Sequence, residues 1–117
     1  MSGLKNRNPA IRRKALYSLD PKSINIFTQV LLKDPSPVIR HEAAFFLGKN
    51  KDVKAMAALI KAVKMDSSDL VRHEAIEALG DLGIKDKNLK MFLCSLMKDK
   101  NPFIKDTAEI ALLTLDT

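Results

Sequence analysis

The chain of 117 residues has no tryptophan, one tyrosine, one cysteine and only four glycines. Each scarcity removes a class of protein. A single cysteine cannot close an internal disulfide or build a zinc cluster, and it suits a reducing cytoplasm, where we place the protein. Valine, isoleucine and threonine do not gather into alternating runs, so a sheet core is not expected. No apolar run approaches the roughly 18 residues that cross a bilayer. The opening, MSGLKNRNPAIRRK, lacks the apolar centre of a secretory signal, so no membrane partner is expected. A phosphate loop and a hydrolase elbow are both missing. The length suits one domain, residues 1–117, with a modest core.

What is present favours helix: alanine, leucine, lysine and isoleucine dominate. The net charge is +6, and a basic cluster (Lys5, Arg7, Arg12, Arg13, Lys14) precedes the first acid, Asp20. That cluster has no interleaved aromatics, and the other basic residues spread along the chain. It reads as a solvated face, and nucleic acid is not an expected partner.

The chain repeats itself. NPAIRRKALYSL from Asn8, SPVIRHEAAFFL from Ser36, SDLVRHEAIEAL from Ser68 and NPFIKDTAEIAL from Asn101 align. Asn8, Ser36, Ser68 and Asn101 are helix N-cap types, whose side chains can accept from orphan N–H groups of the first turn. Proline or aspartate follows, as first helical positions prefer. Ile11, Ile39, Val71 and Ile104 begin an apolar stripe. It runs four residues on to Ala15, Ala43, Ala75 and Ala108, then to Leu19, Leu47, Leu79 and Leu112. Alanine in mid-stripe predicts close helix packing. Second helices are predicted in PKSINIFTQVLLKD, DVKAMAALIKAVKMD and KNLKMFLCSLMKD. The successive repeat lengths are 28, 32 and 33 residues. Helical hairpins at that period predict an all-α solenoid of about three and a half repeats, over residues 8–34, 36–66, 68–99 and 101–117.

Some positions carry secondary expectations. Gly48 is expected to end its helix, Gly80 to permit close packing and Gly83 to serve as a C-cap. Cys94 is expected to be buried and inert. Met56, Met65, Met91 and Met97 are expected to fill the core. The last helix, NPFIKDTAEIALLTLD, has no second helix after it. Phe103, Ile110, Ala111, Leu113 and Leu115 widen its apolar surface past one face, so a partner chain is expected to cover it.

Both histidines of the chain precede a glutamate, in VIRHEAAFFLG and LVRHEAIEALGDLG. His41 and His73 stand two residues past Ile39 and Val71, about 200° around the helix and away from the intra-repeat core. Neighbouring repeats stack about 8–10 Å apart, so His41, Glu42, His73 and Glu74 should form one row. Two imidazoles and two carboxylates could hold a first-row metal such as non-haem iron. Duplication of a solvated Arg-His-Glu surface would leave the same pattern without any metal. Repeats one and four carry Arg13-Lys14 and Asp106-Thr107 at these places.

The Arg before each His, the Ala after each Glu, Glu77 and the following Ala-Leu-Gly resemble the His-Glu repeats of the deoxyhypusine hydroxylase family, which are HEAT-like. RRKALYSL resembles that family's opening repeat, which also lacks the pair. The likeness covers nearly all of this chain, at roughly half the family's length. It implies an oxygen-dependent monooxygenase in which four His-Glu pairs on facing halves hold two irons and a deoxyhypusine side chain of a translation factor is hydroxylated. By that resemblance His41, Glu42, His73 and Glu74 would be half of a di-iron site, completed across a homodimer. Such a chain would be either a natural half-size relative or an engineered half. The alternative is a metal-free HEAT-repeat scaffold for protein–protein interaction.

Overall fold

A computed structural model describes residues 2–116; Met1 and Thr117, at the ends of the expected domain, lie outside the described residues. Seven α-helices form among them: α1 Pro9–Tyr17, α2 Ile24–Lys33, α3 Pro37–Asn50, α4 Met56–Met65, α5 Asp69–Asp81, α6 Lys87–Ser95 and α7 Pro102–Asp116. Short 3-10 turns precede α1 and α4 and extend α6. The odd-numbered helices lie side by side, α3 on α5 and α5 on α7, while α2, α4 and α6 form the second layer. The result is a right-sized slab for two helical layers, 39 × 28 × 16 Å.

The stripe residues make the core of repeats two to four. Ile39, Ala43, Leu47, Val71, Ala75, Leu79, Ile104 and Ala108 are all buried, together with Phe27, Leu31, Leu59, Val63, Leu89 and Leu93 from the second layer. The first repeat departs from the pattern. Ile11 is 43 % exposed, and Leu16 and Arg12 are the buried residues of α1. Ile11 has no preceding layer of described residues to cover it. Leu19 and Leu112 are half-buried rather than central.

A device that the stripe does not reveal ties the layers together. Arg12 pairs through both Nε and Nη2 with the Asp34 carboxylate, at 3.0 and 3.1 Å. Arg40 does the same to Asp66, at 2.9 and 3.1 Å, and Arg72 Nη2 reaches Asp99 at 2.6 Å. Each aspartate ends a second-layer segment and accepts from the next repeat's N-cap backbone N–H: Ser36, Ser68 and Asn101, all at 2.9 Å. One carboxylate thus follows the second helix, fixes the turn and anchors the arginine of its own repeat's first helix. The forked guanidinium serves all three repeats: Arg12 and Arg40 pair bidentately with their aspartates, while Arg72 divides its donors between Asp99 and the Val63 carbonyl.

Several expectations are corrected. Ser36 and Ser68 make no side-chain cap bond, because the aspartates two residues earlier already organise the turn. Asn8 and Asn101 do cap, accepting from Ala10 and Phe103. Gly48 does not end α3; Lys51, with φ of 53°, is the C-cap. A Cβ at Gly48 would stand 2.8 Å from Ala78 Cα, and one at Gly80 would stand 3.3 Å from Ala111 Cα. Both glycines therefore let adjacent first-layer helices touch. Gly83, at φ of 65°, is the positive-φ residue past α5. Cys94 is exposed, as are Met65 and Met91, because α4 and α6 turn those positions outward.

Candidate metal centre

The four candidate residues lie on the first-layer helices, and one rule places them. The residue at the His position of each repeat meets the residue at the Glu position of the next. Arg13 Nε donates to Glu42 Oε1 at 2.6 Å. His41 Nε2 lies 2.9 Å from Glu74 Oε1. His73 Nδ1 lies 2.7 Å from Thr107 Oγ1. The ladder crosses α1, α3, α5 and α7, with His41–Glu74 as its middle rung. Its end rungs use Arg13 and Thr107, the residues that replace the His and the Glu in repeats one and four. That substitution was visible in the aligned repeats; its role as a contact was not.

The outer rungs determine how the donors are presented. Thr107 Oγ1 donates its one hydrogen to the Phe103 carbonyl at 2.8 Å. It must therefore accept from His73, which puts a proton on Nδ1. Nε2 faces Glu77 Oε1 at 3.2 Å. The ring is also stacked on Phe103, with centroids 4.4 Å apart. At the other end Tyr17 OH donates to Glu42 Oε2, and Arg13 Nη2 reaches Tyr17 OH at 3.0 Å. Tyr17, Arg13, Thr107 and Phe103 escape a search for ligand types, because none is a usual metal donor in this setting.

Charge accumulates here against the sign of the whole chain. Burial, a hydrogen bond with Glu77, and the charges of Glu77, Asp81 and Glu42 push the Glu74 carboxyl up to about 7. Burial and Glu77 raise Asp81 as well, against the pull of Lys51 and Lys49. Glu42 behaves oppositely. Burial works to raise it, but hydrogen bonds from Tyr17 and Arg13 outweigh burial and hold it below the usual carboxylate range. A groove of about 280 Å³ opens beside this row, lined by Glu77, Gly80, Asp81, Thr107, Ile110, Ala111 and Thr114. A larger recess, about 790 Å³, lies at the other end, between the N-terminal 3-10 turn, α1 and α2, and touches none of the four.

The donor types suit a divalent first-row metal: two imidazoles, and carboxylates whose mutual repulsion a cation would relieve. The side chains are at present engaged with one another. Among the described residues no three His, Cys, Asp or Glu side chains converge on one point at metal-binding distances.

The family model for HEAT repeats matches residues 24–113, and the chain belongs to the HEAT-repeat family. Within it, the chain is similar to deoxyhypusine hydroxylases. It is 38 % identical over 112 residues to deoxyhypusine hydroxylase-B of Oryza sativa subsp. japonica, covering 92 % of this chain and 36 % of that protein. It is 35 % identical over 112 residues to the deoxyhypusine hydroxylase of Arabidopsis thaliana, covering 90 % and 34 %. The structure of human deoxyhypusine hydroxylase in complex with glycerol superposes with a TM-score of 0.83 at 28 % identity, over 98 % of this chain and 41 % of that one. The chain thus spans about a third of the length of these curated relatives, less than the half that the resemblance implied. Among the described residues no helix is long and apolar enough to cross a membrane.

Proposed function

We propose that this chain is a di-iron-binding relative of deoxyhypusine hydroxylase that acts as a homodimer, each chain supplying His41, Glu42, His73 and Glu74 as ligands. The observation that carries the reading is the middle of the ladder. Glu74 is a buried carboxyl among three further acids, next to His41, while Thr107 fixes the other imidazole through its Nδ1. A purely structural row would not need to concentrate negative charge in a chain of net charge +6.

His41 and His73 would serve as neutral nitrogen ligands, and Glu42 and Glu74 as carboxylate ligands or bridges. Bound iron would supply the oxygen-dependent chemistry that hydroxylates a C–H bond. The chain's own residues supply the surroundings. Thr107 and Phe103 hold the His73 ring, and Glu77 and Asp81 line a groove of about 280 Å³ whose acids suit a cationic amine side chain such as that of deoxyhypusine on a protein substrate. Ile110 and Ala111 line the same groove with aliphatic surface, suited to the methylenes of such a chain.

The dimer has support apart from ligand counting. Phe103, Ile110 and Leu113 are 51, 64 and 63 % exposed on α7, and Phe103 adjoins His73. Ala111 and Leu115, expected on that outer surface, are buried within the chain. Covering the three exposed side chains is worth roughly 1.5–3 kcal/mol each before association costs.

The test is metal content. Wild type purified with iron supplementation should hold iron by elemental analysis, and His41→Ala with His73→Ala should lose it. Equal content in both, or none in wild type, leaves the second reading, a metal-free interaction scaffold. The observation favouring that reading is that each of the four residues already has a partner within the chain. Light scattering should show a dimer that Leu113→Lys breaks without loss of helix; a 13.0 kDa species would refute the shared site.

A further inference from the structure

Along the chain the cations look scattered, but the fold sorts them by layer. The second-layer segments are α2, α4 with the 3-10 turn Val53–Ala55 before it, and α6 with its extension Leu96–Lys98. Within those bounds there is no acid and no arginine; every charged residue is a lysine. Every acid that lies inside a helix, from Glu42 to Asp116, belongs to the first layer. Lys33, Lys54, Lys61, Lys64, Lys87 and Lys98 are exposed, and none of the six makes an ion pair among the described residues. Asp34, Asp66 and Asp99, at the ends of these segments, are already matched by Arg12, Arg40 and Arg72. A helix favours a cation in its last turn, which accounts for Lys33, Lys64 and Lys98. It gives no reason for Lys54 and Lys61, and Lys87 begins α6, where the dipole disfavours it. The exposed large apolar side chains of this layer are Val53, Met65 and Met91, each next to a lysine in the sequence. Lys64 Nζ stands 5.5 Å from the Phe92 ring centre, so the surface runs on from α4 to α6.

We propose that the second layer is a docking surface for an acidic protein segment, one that mixes carboxylates with aliphatic side chains. Unpaired lysines supply the complementary charge. Met65 and Met91 supply flexible apolar contact that adapts to irregular partners. The make-up of the surface selects a protein over other polyanions. It has no arginine fork for phosphates and no exposed aromatic on which bases could stack. It also has no exposed Phe, Trp or Leu to enter a lipid surface. Two helical layers are about 20 Å through, against a screening length of about 8 Å at physiological salt. The lysine layer and the acid-bearing His-Glu row therefore present separate fields, and the chain can hold a cationic group on one layer and an anionic segment on the other. The inference stands apart from the metal reading.

The probe is a fluorescein-labelled peptide repeating Glu-Glu-Leu, followed by anisotropy at physiological salt. Wild type is compared with Lys61→Glu plus Lys87→Glu on the second layer, and with Lys14→Glu plus Lys105→Glu on the first, which changes net charge equally. The second-layer pair is expected to weaken binding by about tenfold or more, with unchanged helical content, and the first-layer pair to leave it near wild type. Met65→Ser with Met91→Ser is expected to weaken binding in a way that added salt does not reproduce. Equal losses from the two lysine pairs would mean attraction to net charge alone and would overturn the proposal. So would no binding by wild type, an unchanged affinity in the methionine variant, or tighter binding of single-stranded RNA or phosphatidylserine vesicles than of the peptide.

Discussion

Glu74→Gln should stabilise the metal-free protein in mildly alkaline buffer and do little in acid. In the fold the Glu74 carboxyl is pushed from 4.5 to about 7, first by burial and then by Glu77, Asp81 and Glu42. A group whose folded value is raised keeps its proton longer in the native state than in the unfolded chain. Its contribution is present at low pH and is lost as pH rises through the folded value. At about pH 8 both states are ionised, and the native state carries a penalty of about 3 kcal/mol. Glutamine keeps an oxygen for His41 Nε2 and cannot ionise. The stability difference between variant and wild type should therefore grow by about 2–3 kcal/mol between about pH 5 and pH 8. For a domain of this size that is on the order of 10 °C in melting temperature. Urea denaturation followed by circular dichroism, with a chelator present, measures it. A difference that stays constant with pH, or a variant less stable throughout, would refute the account of Glu74 as a strained acid.

Other consequences are open to direct measurement. Arg12→Ala should cost about 3–5 kcal/mol, because it leaves Asp34 buried without its partner. Arg13→Ala, on a side chain 52 % exposed, should cost far less, because solvent screens its pair; paired denaturant melts separate the two. Gly48→Ala should be destabilising by about 1–3 kcal/mol, since its methyl would collide with Ala78, and by more than Gly80→Ala, whose nearest neighbour is 3.3 Å away. Cys94 should react with a thiol reagent in the native protein without prior unfolding, given its exposure; protection until denaturation would show that the α6 surface is covered.

The stripe was legible because helix period and burial are linked at short range. Ile39, Val71 and Ile104 each begin a buried stripe, and the second-layer helices fall inside the segments expected for them. The same logic failed where the environment differs from repeat to repeat. Ile11 has the stripe's spacing but no cover. Cys94, Met65 and Met91 are apolar residues on α4 and α6, whose rotation about their axes is set by packing on adjacent helices such as α5 and α7. Gly48 read as a helix end because glycine usually marks one, while the helix continues past it and uses the missing side chain for contact with Ala78.

The sequence by itself determined the repeat, the helices and the identity of the four His-Glu residues, since these depend on spacing and side-chain type alone. Only the tertiary structure decided who meets whom. It offset the repeats by one residue position, so that the His place of one helix faces the Glu place of the next, and Arg13 and Thr107 close the ends. It joined Arg12, Arg40 and Arg72 to aspartates 22, 26 and 27 residues away. It also gathered Glu42, Glu74, Glu77 and Asp81 onto one face of a basic chain. Such pairings depend on how helices far apart in sequence pack, including the close approach that Gly48 and Gly80 allow between first-layer helices, and not on any local pattern of residues.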